Sequence, residues 1–400
     1  MLKNWFKYII CTNNYKKVIR RIKENKINKI RVLFYVSENS KWGYQSLYDL
    51  MVNDEKFEVI ICVGVLSRVH KGRDKTRNIV DENYDFFKTR GMNVKYVYQN
   101  HKYINFKKFK PDIVFYEQPW EMPKVYSPLY VSKFALTCYC SYSFEITNDK
   151  DNYKQNFHKL LWKYFVENDI NTIRYESYAK ENSKNCFTVG YPKLDAYLNK
   201  SKIISSIWKD KDKFKIIYAP HHSFESGSLE FATFKENGKF ILEYAKKHTE
   251  TSWIFKPHPR LKYALLRNKI MNEEEINSYY NEWAKIGRIY EQGDYFDIFK
   301  SSDLMITDCI SFLTEYLPSK NPLIMLINQN SCKLNSLGEK ITSEYYKVNN
   351  NSELEQVLNE IISKQNDYKA KKRMDLISEV LDYKESSAEK IVKYLKRELT

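Results

Sequence analysis

Short runs of apolar, β-branched and aromatic residues recur along this chain, each followed by a segment long enough for a helix. Ile30 to Val36 (IRVLFYV), Phe57 to Val65, the stretch from Asn93 and the stretch from Pro111 form a first series, with Leu136 to Phe144 and Asn185 to Pro192 as its last strands. A second series follows the polar stretch Ser201 to Lys213: Phe214 to Pro220, Ser252 to Pro259, Gly287 to Gln292, Asp303 to Asp308 and Pro322 to Leu326, with helices over Phe231 to Lys247 and Ile310 to Leu317. Buried strands alternating with helices specify a parallel sheet wrapped by helices. The fold class expected is therefore α/β, with two Rossmann-like domains facing across a cleft. Boundaries fall at 1–28 for a basic amphipathic leader, 29–200 and 201–385 for the two domains, and 386–400 for a final helix capped by Ser386 or Ser387.

Length and composition agree with this. At 400 residues the chain can build two cores, and 43% hydrophobic with 16% aromatic content exceeds what a disordered chain carries. No stretch nears the ~18 apolar residues of a membrane-spanning helix. Seven scattered Cys without a CxxC pair indicate reduced thiols and neither a disulfide framework nor a zinc site. A cytoplasmic location follows.

The net charge of +16 admits nucleic acid, anionic membrane or phosphorylated substrates as partners. Residues 1–30 hold nine basic residues against Glu24 alone, half of the excess. Trp5, Phe6, Ile9 and Ile10, then Tyr15, Ile19 and Ile22 at helical spacing, suit a basic helix on anionic lipid at the inner membrane face. A solvated helix covering the first domain fits the same pattern. Base-stacking modules need a defined aromatic platform, and no motif for one is present, so nucleic acid is not an expected partner.

Doubly wound domains bind ligands beyond the carboxyl ends of their strands. There lie His221, His222 and Ser223 after one strand, and His258 and Arg260, with His258 between two prolines, after the next. Three of seven His in two successive strand-end turns mark a site. Thr307 and Asp308 end a third strand; Ser311 opens the following helix, whose N–H groups attract phosphate, and Glu315 lies one turn on, placed for ribose hydroxyls. Ordinary capping by Thr307 or Asp308 is the alternative.

The segments YAPHHS (Tyr218 to Ser223), FKPHP (Phe255 to Pro259) and SDLMITDCISFLTEYLPSKNPLI (Ser302 to Ile324), in this order and spacing, resemble the CDP-glycerol glycerophosphotransferase family of teichoic acid polymerase-like enzymes. The resemblance implies a GT-B fold whose C-terminal domain holds a CDP-activated polyol donor. It also implies transfer of the polyol phosphate, glycerol phosphate first, to a hydroxyl of a glycan or lipid-linked acceptor, with CMP released. On this reading His258 and the helix start at Ser311 hold the pyrophosphate, Asp308 or Glu315 contacts the nucleoside, and His221 serves as base or leaving-group acid with a pKa near 6.5. His222 and Ser223 orient phosphate, with Arg260 and Thr307 among the donor-binding residues. No metal or other cofactor is called for. The family's Trp-His-Gly turn is missing, and Cys140, Ser141 and Tyr142 stand in the corresponding region. The rival readings are a GT-B glycosyltransferase with a nucleotide-sugar donor, a non-catalytic binding protein, and a family member that binds donor without turnover.

Overall fold

A computed structural model describes residues 2–24, 29–67, 73–149, 153–179, 185–198, 207–225, 229–291, 295–381 and 385–400. The domain boundary expected at 200/201, Lys26 of the basic leader and Gln292 lie outside the described residues. The chain divides into two compact units, one of Met1–Glu145, Lys150–Ala196 and Tyr383–Thr400, the other of Ile146–Asp149 and Tyr197–Asp382.

The first unit is built on strands β1 (Ile30–Val36), β2 (Phe57–Val63), β3 (Val94–Tyr96), β4 (Ile113–Tyr116), β5 (Leu136–Cys140), β6 (Lys163–Val166) and β7 (Cys186–Thr188). They pair in the order β3-β2-β1-β4-β5-β6-β7, every pair parallel. Near-continuous apolar runs follow from this, because a sheet covered on both faces must be apolar on both. Phe34 and Phe115 accordingly sit in one core layer, Leu33 and Tyr116 in the other.

Two terminal helices complete this unit. Leu2–Glu24 buries Cys11, Tyr15, Val18 and Ile22, one helical stripe, and the Tyr15 hydroxyl donates to the Leu160 carbonyl at 2.6 Å. Tyr15 and Ile22 therefore face protein rather than lipid, while Trp5, Phe6 and Ile10 stay exposed. The last helix, Ser387–Leu399, opens on a capping box between Ser386 and Glu389 and buries Ile391, Val392, Tyr394 and Leu395 against the same core. Asp195 fixes its start by accepting the N–H groups of Ser387 and Ala388, each at 2.9 Å.

The second unit carries β8 (Phe214–Ala219), β9 (Thr251–Phe255), β10 (Arg288–Ile289), β11 (Leu304–Thr307), β12 (Leu323–Leu326) and β13 (Tyr346–Val348), in the parallel order β10-β9-β8-β11-β12-β13. Trp253, Phe255 and Trp283 anchor one face of its core, with the Phe255 and Trp283 rings stacked at 5.1 Å. Strand order reverses between β8 and β11, which makes the carboxyl ends of these two strands the crevice for a ligand. Mostly parallel sheets in two Rossmann-like units are the architecture expected of a GT-B chain.

Candidate active site

The crevice is pinned by hydrogen bonds from its own strand ends. Ala219 of β8 pairs with Thr307 of β11, and the Thr307 hydroxyl donates to the Ala219 carbonyl at 2.6 Å. One residue on, the Asp308 carboxylate accepts the His221 N–H at 2.5 Å and, through its other oxygen, the N–H and hydroxyl of Thr233 at 2.7 and 2.8 Å. Both oxygens are engaged with protein and the residue is buried. Asp308 thus braces the histidine turn, and Thr307 is likewise turned into the fold.

The turn after β9 docks on the turn after β8, the His258 N–H donating to the Pro220 carbonyl at 3.1 Å. The rings of His221, His222 and His258 converge: His222 stacks on His258 at 3.9 Å, with His221 4.5 Å from the first and 5.2 Å from the second. Burial and neighbouring positive charge drive all three toward neutrality. Burial, then the neighbouring His222, lowers His221 to about 3; burial, then Arg260, lowers His222 to about 4; burial, then the other rings and Arg260, lowers His258 to about 2. The ordinary imidazole pKa expected for His221 is thereby corrected.

Hydrogen bonding sets which nitrogen keeps the proton. His221 Nδ1 receives the Ser223 N–H at 3.3 Å and lies 2.7 Å from the Ser223 hydroxyl, which itself accepts the Phe231 N–H. His258 Nδ1 receives the Arg260 N–H at 3.1 Å. A neutral imidazole that accepts at Nδ1 carries its hydrogen on Nε2. Both rings therefore present N–H donors, suited to phosphate oxygens. One nitrogen from each of the three rings falls within 4.8 Å of the others, a spread that also matches a three-histidine cation site. Coordination through Nε2 of His221 or His258 would compete with the backbone donors at Nδ1, so the donor set fits an anion better.

The remaining expected residues divide. Arg260 is exposed, and Ser311 is half-exposed in the first turn of Ile310–Glu315. That helix has only six residues, so the dipole at its start is weak. Glu315 is buried and accepts the Tyr295 hydroxyl at 2.5 Å. Sequence reasoning passed over Lys256, whose ammonium is buried 4.6 Å from the Tyr295 ring centroid and 5.5 Å from that of Phe312. Its signal was available, two residues before His258 in the same turn. Thr233 and Tyr295 had none.

The first unit has a polar cluster of its own at strand ends. Glu117, after β4, accepts the N–H groups of Ser37 and Glu38 at 3.0 and 3.1 Å through one oxygen, and its other oxygen has no hydrogen-bond partner. Glu167, after β6, accepts the Ser141 hydroxyl at 2.7 Å. Desolvation raises both carboxyls to about 7. Cys140 is buried, which pushes its thiol well up and leaves it unreactive.

Residues 69–396 match the family model for CDP-glycerol:poly(glycerophosphate) glycerophosphotransferase. The chain belongs to that family. This glycerophosphotransferase-like enzyme also shares its fold with the wall teichoic acid polymerase TagF, solved as a substitution variant, at 14% identity and a TM-score of 0.62 over 100% of this chain and 99% of that one. UDP-GlcNAc 2-epimerase from Neisseria meningitidis bound to UDP-GlcNAc aligns at 12% identity and a TM-score of 0.59 over 92% and 100% of the two chains. MnaA of S. aureus in complex with UDP aligns at 14% and 0.56, over 93% and 96%. No curated protein sequence matches the glycerophosphotransferase-like chain.

Proposed function

We propose that this enzyme transfers glycerol phosphate from a CDP-linked donor to a hydroxyl of a glycan or lipid-linked acceptor, as a step of teichoic-acid-like polymer synthesis. The observation that carries the reading is the convergence of His221, His222 and His258 at the carboxyl ends of β8 and β9, two of them with Nε2–H groups free to donate. In the reaction the acceptor oxygen bonds to the glycerol-bearing phosphorus, and its proton passes to the departing CMP phosphate or to water. The bond from that phosphorus to the bridging oxygen breaks, and CMP leaves with the electron pair. Neutral imidazole donors and the buried Lys256 charge stabilise the phosphoryl oxygens and the leaving group. His221, neutral and protonated at Nε2, is placed to donate to the leaving phosphate rather than to abstract a proton. Ser223 holds that tautomer, and His222 packs the third ring against His258.

Membrane association belongs to the same proposal. No helix among the described residues is long and apolar enough to cross a bilayer. Trp5, Phe6 and Ile10 are each about half exposed on a helix bearing Lys7, Lys16, Lys17, Arg20 and Lys23, a composition that suits the inner membrane face.

The fold neighbours with UDP ligands keep a nucleotide-sugar donor as the competing reading. Incubation with CDP-glycerol, CDP-ribitol and a panel of UDP-sugars separates the two. CMP release confined to CDP-alcohols supports phosphoryl transfer, whereas UDP release from a sugar donor overturns it.

A further inference from the structure

On the first unit, a cavity of about 500 Å³ opens at the amino ends of β1 and β4, remote in the sheet from the strand ends that carry Ser37 and Glu117. Arg21, Lys29, Arg31, Lys107 and Lys110 line it. Two of these cations are fixed: Arg21 pairs with Asp112 at 2.7 Å and donates to the Phe134 carbonyl at 3.0 Å, and Arg31 pairs with Glu58 at 2.8 Å. Asp112 is further engaged by the Arg31 N–H at 3.0 Å, so its charge is satisfied on both oxygens. Lys29, Lys107 and Lys110 form no ion pair among the described residues. Five cations against Asp112 and Glu58 leave an uncompensated positive pocket with rigid arginines and adjustable lysines.

The helix that supplies Arg21 leads into this pocket along one exposed stripe. At 100° per residue, Phe6, Ile10, Lys17 and Arg21 fall within one arc of about 60°, turned away from the buried stripe of Cys11, Tyr15, Val18 and Ile22. Phe6 is 55% and Ile10 47% exposed. From Ile10 to Arg21 the helix advances about 16 Å, so a surface touching the apolar end can reach the basic end.

We infer that this cavity is a receptor for the phosphate of an anionic phospholipid headgroup, seated when the exposed apolar end of the first helix enters the bilayer. The proposal rests on the reading of that helix as membrane-facing. A lipid is favoured over a soluble phosphate polymer because apolar side chains and cations share one stripe, and only a lipid surface presents both an acyl layer and phosphate.

The test is vesicle co-sedimentation of the full chain with phosphatidylcholine alone and with one-third phosphatidylglycerol. Lys107→Glu combined with Lys110→Glu is expected to lower binding to the anionic vesicles by a factor of about ten or more. Far-ultraviolet circular dichroism, thermal midpoint and CMP release with a soluble acceptor should stay at wild-type values. Phe6→Ser with Ile10→Ser is expected to weaken binding to both vesicle types. Undiminished anionic binding by the lysine variant overturns the pocket. Undiminished binding by the helix variant overturns the membrane reading beneath it. Displacement of the chain from vesicles by soluble poly(glycerol phosphate), lost in the lysine variant, assigns the pocket to polymer and overturns the lipid. None of these outcomes bears on donor turnover, which tests the transferase reading separately.

Discussion

The Asp308 carboxylate accepts the backbone N–H of His221 at 2.5 Å, tying the end of β11 to the turn after β8. An aspartate expected to meet the nucleoside instead holds the imidazole turn in place, with Thr233 on its other oxygen. Asp308→Asn must direct an amide N–H₂ at one of these donors. The expected result is a loss of about 1–3 kcal/mol in urea unfolding together with a tenfold or larger fall in kcat for CMP release. Turnover equal to wild type would contradict the brace.

His221→Ala and His258→Ala each remove an Nε2–H donor. Transfer should drop by about 10²–10⁴, with donor affinity weakened as well in the His258 variant. Ser223→Ala keeps both rings and the backbone N–H at His221 Nδ1 but removes the shorter contact of the hydroxyl. A milder effect, about tenfold in kcat with KM near wild type, is expected from steady-state kinetics. Unchanged kcat in that variant would remove the hydroxyl from the positioning of His221.

Tyr295→Phe deletes the hydroxyl that holds the buried Glu315 at 2.5 Å. If Glu315 orders the nucleoside side of the site, KM for CDP-glycerol should rise about tenfold while kcat changes little. A fall in kcat at constant KM would place Glu315 in the chemical step instead.

Acid stability depends on the buried imidazole. Burial depresses His221 to about 3, so the unfolded chain takes up a proton below about 6.5 that the folded chain refuses. Its contribution is therefore lost as pH falls from about 6.5 toward 3. The raised carboxyls of Asp308, Glu117 and Glu167, at about 6, 7 and 7, act with opposite sign, contributing below about pH 4 and losing that contribution as pH rises through 6 to 7. The histidine term is separable by difference. Relative to wild type, His221→Gln should gain about 2 kcal/mol in urea unfolding between pH 7 and pH 5. A constant difference across that range would show His221 titrating in the fold as it does in the unfolded chain.

Much of the architecture was legible because buried parallel strands are written as apolar runs: Ile30–Val36 matches β1 end to end, and Phe214–Ala219 was readable to within a residue. β6 escaped because it is only four residues long and opens on Lys163, and β13 because Lys347 splits a strand of three residues. The helix between β1 and β2 begins only at Gln45, after a short 3-10 turn over Asn39–Lys41. Periodicity cannot see such a start, since no side chain caps the helix at Tyr44. At the site, the two histidine turns were visible as imidazoles beside prolines. The roles of Asp308 and Glu315 were not, because a side chain turned inward to Thr233 or Tyr295 depends on contacts distant in sequence.

The central claim, that the three imidazoles receive the donor diphosphate, is read most directly by side-chain ¹⁵N–¹H correlation NMR during titration with CDP-glycerol. The free enzyme at pH 7 should show His221 and His258 as neutral rings protonated at Nε2. Donor binding should shift the signals of His221, His222 and His258 together and raise their pKa values as phosphate favours the charged ring. Saturable binding of CDP-glycerol with all three histidine signals unmoved would contradict the account.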